Sequence, residues 1–296
     1  RTVESPLVGS LRLVQDTSGS GKSAAQLIAD DKCSAALDES GETTSLQTVS
    51  YSDTTWALLF NAAEGSVFQN QQLRQALAGV ARDAAEVPST ELFAAADSLI
   101  PAGLNVDGMN YRDTVGDVSP AAVDVKALYL AARQGMANSD FNKITLMLPA
   151  GCGLNEAAET INGAWQKELS LFFSIEEVDE ETFCKRLAEG DYTIALAPVS
   201  AESGSVYNTL AQFTPTGGGL TGYSNALYAT QLEASTHANG STRCRLLGDC
   251  ERQLLSDCVV VPLFSQQKRL LIASGVKKLI FDPFGPVLDL TYATKE

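Results

Sequence analysis

The sequence contains few of the residues that build catalytic or metal centres. It has one histidine, His237, and its six cysteines include no CxxC pair. Structural zinc sites need closely spaced cysteine and histidine ligands, so this composition argues against a zinc site. No G-x-S-x-G elbow occurs, and a serine or cysteine hydrolase would need His237 as its base. That histidine lies in a turn-like segment without a neighbouring nucleophile motif. The sequence therefore predicts a protein that is not an enzyme and has no cofactor.

Long apolar runs and positive charge are also scarce. No stretch of about 18 apolar residues occurs, which argues against a transmembrane helix. The chain has 36 acidic residues against 21 Lys and Arg, for a net charge of −15. Nucleic-acid affinity comes largely from Lys and Arg on phosphates, so a nucleic-acid partner is not expected. The remaining composition, with 45% hydrophobic residues in a chain of 296, is that of a globular protein with one or two domains.

Apolar periodicity divides the chain into alternating strands and helices, which indicates an α/β fold. Leu73, Ala76, Leu77 and Val80 follow the helical i, i+3, i+4, i+7 spacing. Trp165 lies on a similar apolar stripe, which favours a core position over a ligand-stacking one. The predicted strands are 11–14, 45–49, 56–60, 143–148, 172–178, 192–197, 259–264, 270–273 and 278–281. The predicted helices are 23–36, 70–83, 91–97, 120–134, 155–169, 179–188 and 242–255.

One segment near the amino terminus resembles a phosphate-binding loop. Residues 16–23 lie between a predicted strand and a predicted helix, and Gly21-Lys22-Ser23 matches the end of a P-loop. However, Asp16 occupies the first glycine position, where a carboxylate would repel phosphate. The other interpretation is a polar turn in which Ser20 or Ser23 caps the following helix. Nucleotide binding is therefore kept only as an alternative.

The most characteristic segment joins the strand 57–61 to the helix 70–83. The apolar strand ends in Asn61, a short loop follows, and the helix carries Leu-Arg-Gln-Ala-Leu at 73–77 and Arg-Asp at 82–83. This order resembles the strand-Asn, loop, V-R-Q-A, D-R passage of the family 5 extracellular solute-binding proteins. These proteins are the peptide- and oligopeptide-binding components of ABC importers.

Further fragments resemble the same family and follow its order along the chain. Each fragment is weak alone, but together they cover most of the sequence. The chain also departs from the family pattern: Val199 stands in the place of a usual Trp, and Ala229 in the place of a usual Asp. The fragments are 11–16 with 36–41, 124–135, 183–195, 221–228, 260–264 and 289–293.

The resemblance implies an α/β fold of the periplasmic-binding-protein type II. The expected architecture is a lobe with a mixed sheet and flanking helices, plus partial strands of the other lobe. Family members are generally much longer, so 63–265 is expected to form the second, solute-binding lobe. Residues 1–62 and 266–296 are then the remnant of the first lobe. The implied location is extracellular or periplasmic, with a lipid anchor on a preceding leader. The sequence leaves open whether the cysteines form disulfides or pack as small apolar residues.

The resemblance also implies a mode of action, in which a solute is captured between two lobes and delivered to an ABC permease. A short peptide is the expected solute. In oligopeptide-binding members an Asp after the "G-d-Y-D" strand grips the peptide α-ammonium, and Glu202 lies at the matching offset. Asn61, Tyr207 and Tyr223 are the other candidates for the cleft. Glu202 as a solvated loop residue, and the chain as a repurposed ligand-sensing or protein-interaction module, are the alternatives.

Overall fold

The computed structural model describes residues 21–38, 40–201, 204–281, 284, 288–289 and 291–295. The predicted strand 11–14 lies outside these ranges. The strands are β1 (Ala35–Asp38), β2 (Gln47–Phe60), β3 (Phe93–Ala95), β4 (Asn105–Val106), β5 (Met109–Asn110), β6 (Thr145–Pro149), β7 (Ser174–Val178), β8 (Ile194–Ser200), β9 (Val260–Ile272), β10 (Val276–Lys277), β11 (Ile280–Phe281), β12 (Leu288–Asp289) and β13 (Thr294–Lys295). The helices are α1 (Ala24–Ala29), α2 (Gln71–Ala84), α3 (Tyr111–Val115), α4 (Val125–Arg133), α5 (Asn155–Leu169), α6 (Glu180–Glu189), α7 (Val206–Ala211), α8 (Ala226–Thr236) and α9 (Gly240–Ser256).

A mixed sheet forms the centre of the described part. Its strand order is β1-β9-β2-β8-β6-β7, and β3 pairs with β9 beside that path. β2 is antiparallel to both β8 and β9, whereas β6 is parallel to β7 and β8. The predicted fold class, a mixed sheet with flanking helices, is confirmed.

The central strand β2 is buried on both faces from Asp53 to Phe60. Ala57 and Leu59 contribute to the core beneath α7, α8 and α9. Leu58 and Phe60 contribute to the second core, which α2 and α5 cover. A strand covered on both faces carries a continuous apolar run instead of an alternating one, which explains the sequence Trp-Ala-Leu-Leu-Phe at 56–60.

Two helices begin where the sequence places a capping residue. The Asn70 side chain accepts a hydrogen bond from the N–H of Leu73 (3.1 Å) at the start of α2. Asp179 caps α6 in the same way through the N–H of Thr182 (2.9 Å). These side chains satisfy N–H groups that have no partner within the helix, so both helix starts agree with the prediction within about a residue.

Other elements of the structure differ from those predicted from the sequence. The predicted strands 45–49 and 56–60 are one continuous strand, β2, and the predicted strands 259–264 and 270–273 are one strand, β9. The helix predicted at 91–97 is wrong, because this segment contains the short strand β3. The helices α7 and α8 were not predicted.

Trp165 and three of the cysteines lie in the interior. All six cysteines lie in the described part of the chain and none is paired: Cys244, Cys250 and Cys258 are buried, Cys33 and Cys152 are half-buried, and Cys184 is exposed. The buried cysteines therefore pack as small apolar residues. Trp165 is fully buried, and its Nε1 donates to the carbonyl of Leu77 (2.9 Å), which confirms its core position. None of the described helices is long and apolar enough to cross a membrane.

Candidate functional site

A turn at the carboxyl end of β8 connects the sheet to α7. The N–H of Ala201 donates to the carbonyl of Asp53 (2.7 Å), and the N–H of Gly204 donates to the carbonyl of Ala201 (2.8 Å). Ser205 then caps α7 by accepting from the N–H of Asn208 (3.2 Å). Glu202 follows Ala201 in the sequence and lies outside the described residues, whereas Ala201 and Gly204 are held by these backbone hydrogen bonds.

A buried ion pair lies next to this turn, where β2 bulges. The Lys268 Nζ donates to Asp53 Oδ2 (2.7 Å), and the Thr54 hydroxyl donates to Asp53 Oδ1 (2.8 Å). The Asp53 side chain is only 4% exposed, whereas that of Lys268 is 33% exposed. A buried carboxylate needs such partners because its desolvation is costly. The pair fixes the β2 bulge. The carbonyl of Asp53, within this bulge, accepts the hydrogen bond from the N–H of Ala201.

Polar side chains continue from the ion pair along β9. The Ser265 hydroxyl donates to the Ser52 hydroxyl (2.7 Å), and Gln267 Nε2 donates to Ser265 Oγ (3.1 Å). Trp56 Nε1 donates to Gln266 Oε1 (3.0 Å). We call this group the polar end of the sheet: it comprises Ser52, Asp53, Trp56, Ser200, Ser265, Gln266, Gln267 and Lys268. Half-buried hydroxyl, amide and charged groups of this kind can hydrogen-bond an extended peptide backbone.

Asn61 lies at the opposite end of the sheet. Thr54 pairs with Ser200 and Phe60 with Ile194, so about six residues, or roughly 20 Å, separate the two ends of this strand pair. The Asn61 Nδ2 donates to the carbonyls of Gly190 and Tyr192 (2.9 Å each), and its Oδ1 accepts from the N–H of Ala63 (3.0 Å). The amide thus ties the end of β2 to the loop that precedes β8.

Tyr223 is buried at that same opposite end. Its hydroxyl donates to Asp257 Oδ2, and the Asp257 carboxylate also accepts from Gln71 and Gln253 (2.9 Å each). Burial, with the hydrogen bond to Asp257 as a second cause, raises the pKa of the Tyr223 hydroxyl. Arg74 Nε donates to the Asp257 carbonyl (2.8 Å), so this network joins α2 to the end of α9.

Arg74 also occupies a position that its sequence spacing did not indicate. The sequence places Arg74 on the face of α2 opposite the apolar stripe, but the residue is 5% exposed. Besides Asp257, it donates to the carbonyl groups of Phe68 and Gln69. The sequence predicts that Arg74 serves structure, either opposite the apolar stripe or by pairing locally, and its hydrogen bonds to Phe68 and Gln69 agree with local pairing.

Tyr207 belongs to the first end of the sheet. It lies on α7 and is half-buried against the core beneath α7–α9. The three candidate residues that the structure describes therefore separate into two groups: Tyr207 at the polar end, and Asn61 and Tyr223 at the other. Their participation in ligand binding stays a prediction.

Solved structures with a similar fold include proteins that bind peptides. The pheromone receptor PrgZ, solved to show its mode of peptide binding, matches with a TM-score of 0.70 at 20% identity, over 92% of this chain and 55% of PrgZ. The substrate-binding domain of an oligopeptide ABC transporter from Bacillus anthracis matches with a TM-score of 0.70 at 18% identity, over 91% of this chain and 56% of that one. The chain has a substrate-binding-protein fold.

A third structure, Listeria monocytogenes OppA bound to peptide, matches with a TM-score of 0.66 at 19% identity, over 92% of this chain and 55% of OppA. The chain thus spans about half the length of the structures it resembles. No family model and no curated protein matches the sequence. The resemblance drawn from the motifs is confirmed at the level of the fold.

The rival sites considered from the sequence have ordinary structural roles where they are described. Ser23 caps α1 in a reciprocal pair with Gln26, and Lys22 forms an ion pair with Asp30. This agrees with the polar-turn interpretation, while residues 16–20 lie outside the described ranges. His237 is exposed at the end of α8, 3.6 Å from Glu233. Across the described ranges, no group of three His, Cys, Asp or Glu side chains is arranged to hold a metal ion.

The sequence analysis missed the Asp53–Lys268 pair. The two residues are separated by more than 200 positions, and each lies in a polar stretch that was not assigned to a strand. One feature of the sequence could have indicated the pair, since Asp53 is the only charged residue in β2. A charged residue inside a long strand needs a partner, but the sequence does not say which one.

Replacing Tyr223 with Phe tests whether its hydroxyl serves folding or binding. We expect the free energy of unfolding to fall by about 1–3 kcal/mol, because the buried Asp257 carboxylate loses a hydrogen bond. Ligand affinity should stay unchanged. Urea denaturation measures the first quantity and calorimetric peptide titration the second. Tyr207→Phe is the matched control, with an expected stability change within about 0.5 kcal/mol. If Tyr223→Phe lost ligand affinity without losing stability, the hydroxyl of Tyr223 would instead serve ligand binding.

Proposed function

We propose that this chain is part of a family 5 solute-binding protein that captures short peptides for an ABC importer, without enzymatic activity. The supporting observation is the fold likeness over about nine-tenths of the chain to three structures described as peptide receptors or oligopeptide transporter components. The order of the sequence fragments supports the same family independently. The permease and an extracellular or periplasmic location belong to this proposal.

Two lobes are part of the proposal. Residues 63–265 would form the second lobe, and 1–62 with 266–296 the remnant of the first. The strand β9 would join the lobes, since it crosses the proposed boundary at 265/266, and its partner β2 ends at Phe60, just before the other boundary at 62/63. Their pairing shifts register between Tyr51 and Thr54, next to Lys268. A bulge bends a strand locally, so this position suits a hinge about which two lobes close.

The polar end of the sheet is the proposed peptide-binding surface. An extended peptide would receive main-chain hydrogen bonds there, as in other strand-like modes of peptide recognition. Tyr207 lies at this end, and the Asp53 carbonyl accepts a hydrogen bond from Ala201, which precedes Glu202 in the sequence. In this proposal Glu202 accepts a charge-assisted hydrogen bond from the peptide α-ammonium.

Peptide capture can be tested on the complete protein by native mass spectrometry and by thermal unfolding with added short peptides. A bound peptide stabilises the folded state by about 2.7 kcal/mol at a concentration about a hundred times its Kd. We expect a ladder of co-purified peptide masses and a raised Tm. A protein that carries no peptide and does not respond to added peptides would contradict the proposal.

Glu202→Gln tests the ammonium contact. We expect the affinity for peptides with a free amino terminus to fall about tenfold to a hundredfold, since hydrogen bonds to charged groups contribute about 1.5–3 kcal/mol. Affinity for the same peptides after N-acetylation should not change. Isothermal titration calorimetry measures both. Glu64→Gln, an exposed glutamate at the other end of the sheet, is the control. An equal loss for free and acetylated peptides would exclude this role for Glu202.

A further inference from the structure

The outer edge of β7 has no partner strand in the described part of the chain. β7 pairs only with β6, in a parallel register from Thr145–Ser174 to Pro149–Val178. The N–H of Ala150 donates to the carbonyl of Val178 (2.7 Å), so the main-chain groups of Val178 face β6. Because these groups alternate along a strand, the N–H and C=O groups of Ile175 and Glu177 face away from β6. Such a row is a template on which another strand can pair.

A groove of about 590 Å³ opens at the amino end of β7. Phe172, Phe173 and Ser174, which lead into the strand, line one part of it, and Tyr129 and Phe141 line another, with the Arg133 guanidinium 4.8 Å from the centre of the Phe141 ring. The Phe172 side chain is 65% exposed. A large exposed aromatic residue in a groove that continues into an open sheet edge indicates an interaction site.

The carboxyl end of β7 is strongly acidic. Glu177, Asp179, Glu180 and Glu181 are all exposed within a short stretch. The nearby Arg186 is already paired with Glu176 (2.7 Å) and lies 3.4 Å from Asp191. A segment that pairs with β7 therefore meets the exposed Phe172 ring at one end of the strand and negative charge at the other.

We propose that the outer edge of β7 and the groove at its amino end dock an extended, basic segment of a partner protein by strand addition. Main-chain hydrogen bonds to Ile175 and Glu177 align the segment. An apolar side chain enters the groove beside Phe172, and Lys or Arg side chains meet the acidic stretch 177–181. A second copy of this chain is a poorer occupant, because both copies carry a net charge of −15 and repel each other.

This surface is separate from the polar end of the sheet. β6 lies between β7 and β8 in the strand order, and the polar end begins at the carboxyl end of β8. The docking proposal therefore does not depend on the proposed peptide-capture function, and each can fail without the other.

The test uses a fluorescein-labelled peptide of alternating Lys and Val with one Phe, blocked at both ends so that it has no α-ammonium group for the proposed Glu202 contact. Fluorescence anisotropy measures its binding to the complete protein. We expect saturable binding that weakens with added salt, and no binding of the counterpart peptide with Glu in place of Lys. The variant Glu177→Pro removes an N–H that faces away from β6, a position that tolerates proline in an edge strand. We expect this variant to lose binding about tenfold or more.

Two further variants make the result specific. Glu177→Gln keeps the N–H and removes one charge, so its expected loss is only about threefold. Phe172→Ala removes the exposed aromatic side chain, should also weaken binding, and keeps the test valid if the proline variant unfolds. Equal binding by the parent and by the folded variants Glu177→Pro and Phe172→Ala would overturn the proposal, as would binding of the acidic peptide or no binding at all. A dimer that Glu177→Pro dissociates would show that a second copy occupies the edge.

Discussion

Replacing Glu251 with Ala should lower the free energy of unfolding by about 3–5 kcal/mol, because it removes the centre of a buried polar network. The Glu251 side chain is fully buried in α9 and forms an ion pair with Arg112 (2.9 Å). It also accepts from the N–H groups of Leu99 and Ile100 (3.0 Å each) and from the Tyr111 hydroxyl (2.9 Å). The substitution leaves a guanidinium and three other donors without their acceptor.

The large effect is expected because this network holds the segment from Leu99 to Arg112, which contains the short strand pair β4–β5, onto α9. The two N–H groups that Glu251 satisfies lie at the start of this segment. Glu233→Ala is the matched control, since Glu233 is an exposed glutamate on the neighbouring helix α8 with one contact, at 3.6 Å, to His237. Its expected change is within about 0.5 kcal/mol. Urea denaturation with an unchanged m-value measures both, and a similar small change in both variants would show that Glu251 does not stabilise the fold.

Replacing Trp165 with Ala should also cost about 3–5 kcal/mol, through the loss of buried surface and the cavity that remains. The indole lies between α5, α2 and the segment before β7, with its ring centroid 5.4 Å from that of Phe173. Its Nε1 donates to the carbonyl of Leu77, which links α5 to α2. The measurement is the shift of the urea midpoint.

Two aromatic substitutions serve as controls for Trp165. Trp165→Phe keeps most of the buried ring but loses the hydrogen bond to Leu77, so a smaller loss, about 1–3 kcal/mol, is expected. Phe172→Ala removes an aromatic residue of similar type that is largely exposed, and its expected change is within about 0.5 kcal/mol. If Phe172→Ala destabilised the protein as much as Trp165→Ala did, burial would not explain the difference between these positions.

Local sequence patterns predicted the long amphipathic helices well. The predicted helix 155–169 has the bounds of α5, and the predicted helix 70–83 differs from α2 by one residue at each end. Both segments combine a regular apolar stripe with strong helix formers, and Asn70 caps α2. In such segments the local preferences and the tertiary packing favour the same structure.

The predictions failed where pairing with a distant strand decides the structure. The polar stretch 50–55 has no apolar pattern, yet it continues β2 because β9 pairs with it from Ser265 to Arg269. The Ala-rich segment 93–95 favours a helix by propensity but pairs with 264–266 as β3. These partners are separated from them by more than 150 residues, so no local pattern contains the information.

The sequence by itself determined the alternation of strands and helices, the starts of α2 and α6, the core position of Trp165 and the resemblance to a solute-binding family. Periodicity and motifs are local features of the chain, so they can be recognised from the sequence alone. Only the tertiary structure decided which charges are paired, because Asp53 meets Lys268 and Glu251 meets Arg112 across large separations. It also placed Asn61 and Tyr223 at one end of the sheet and Tyr207 at the other, since strand register sets which residues share an end.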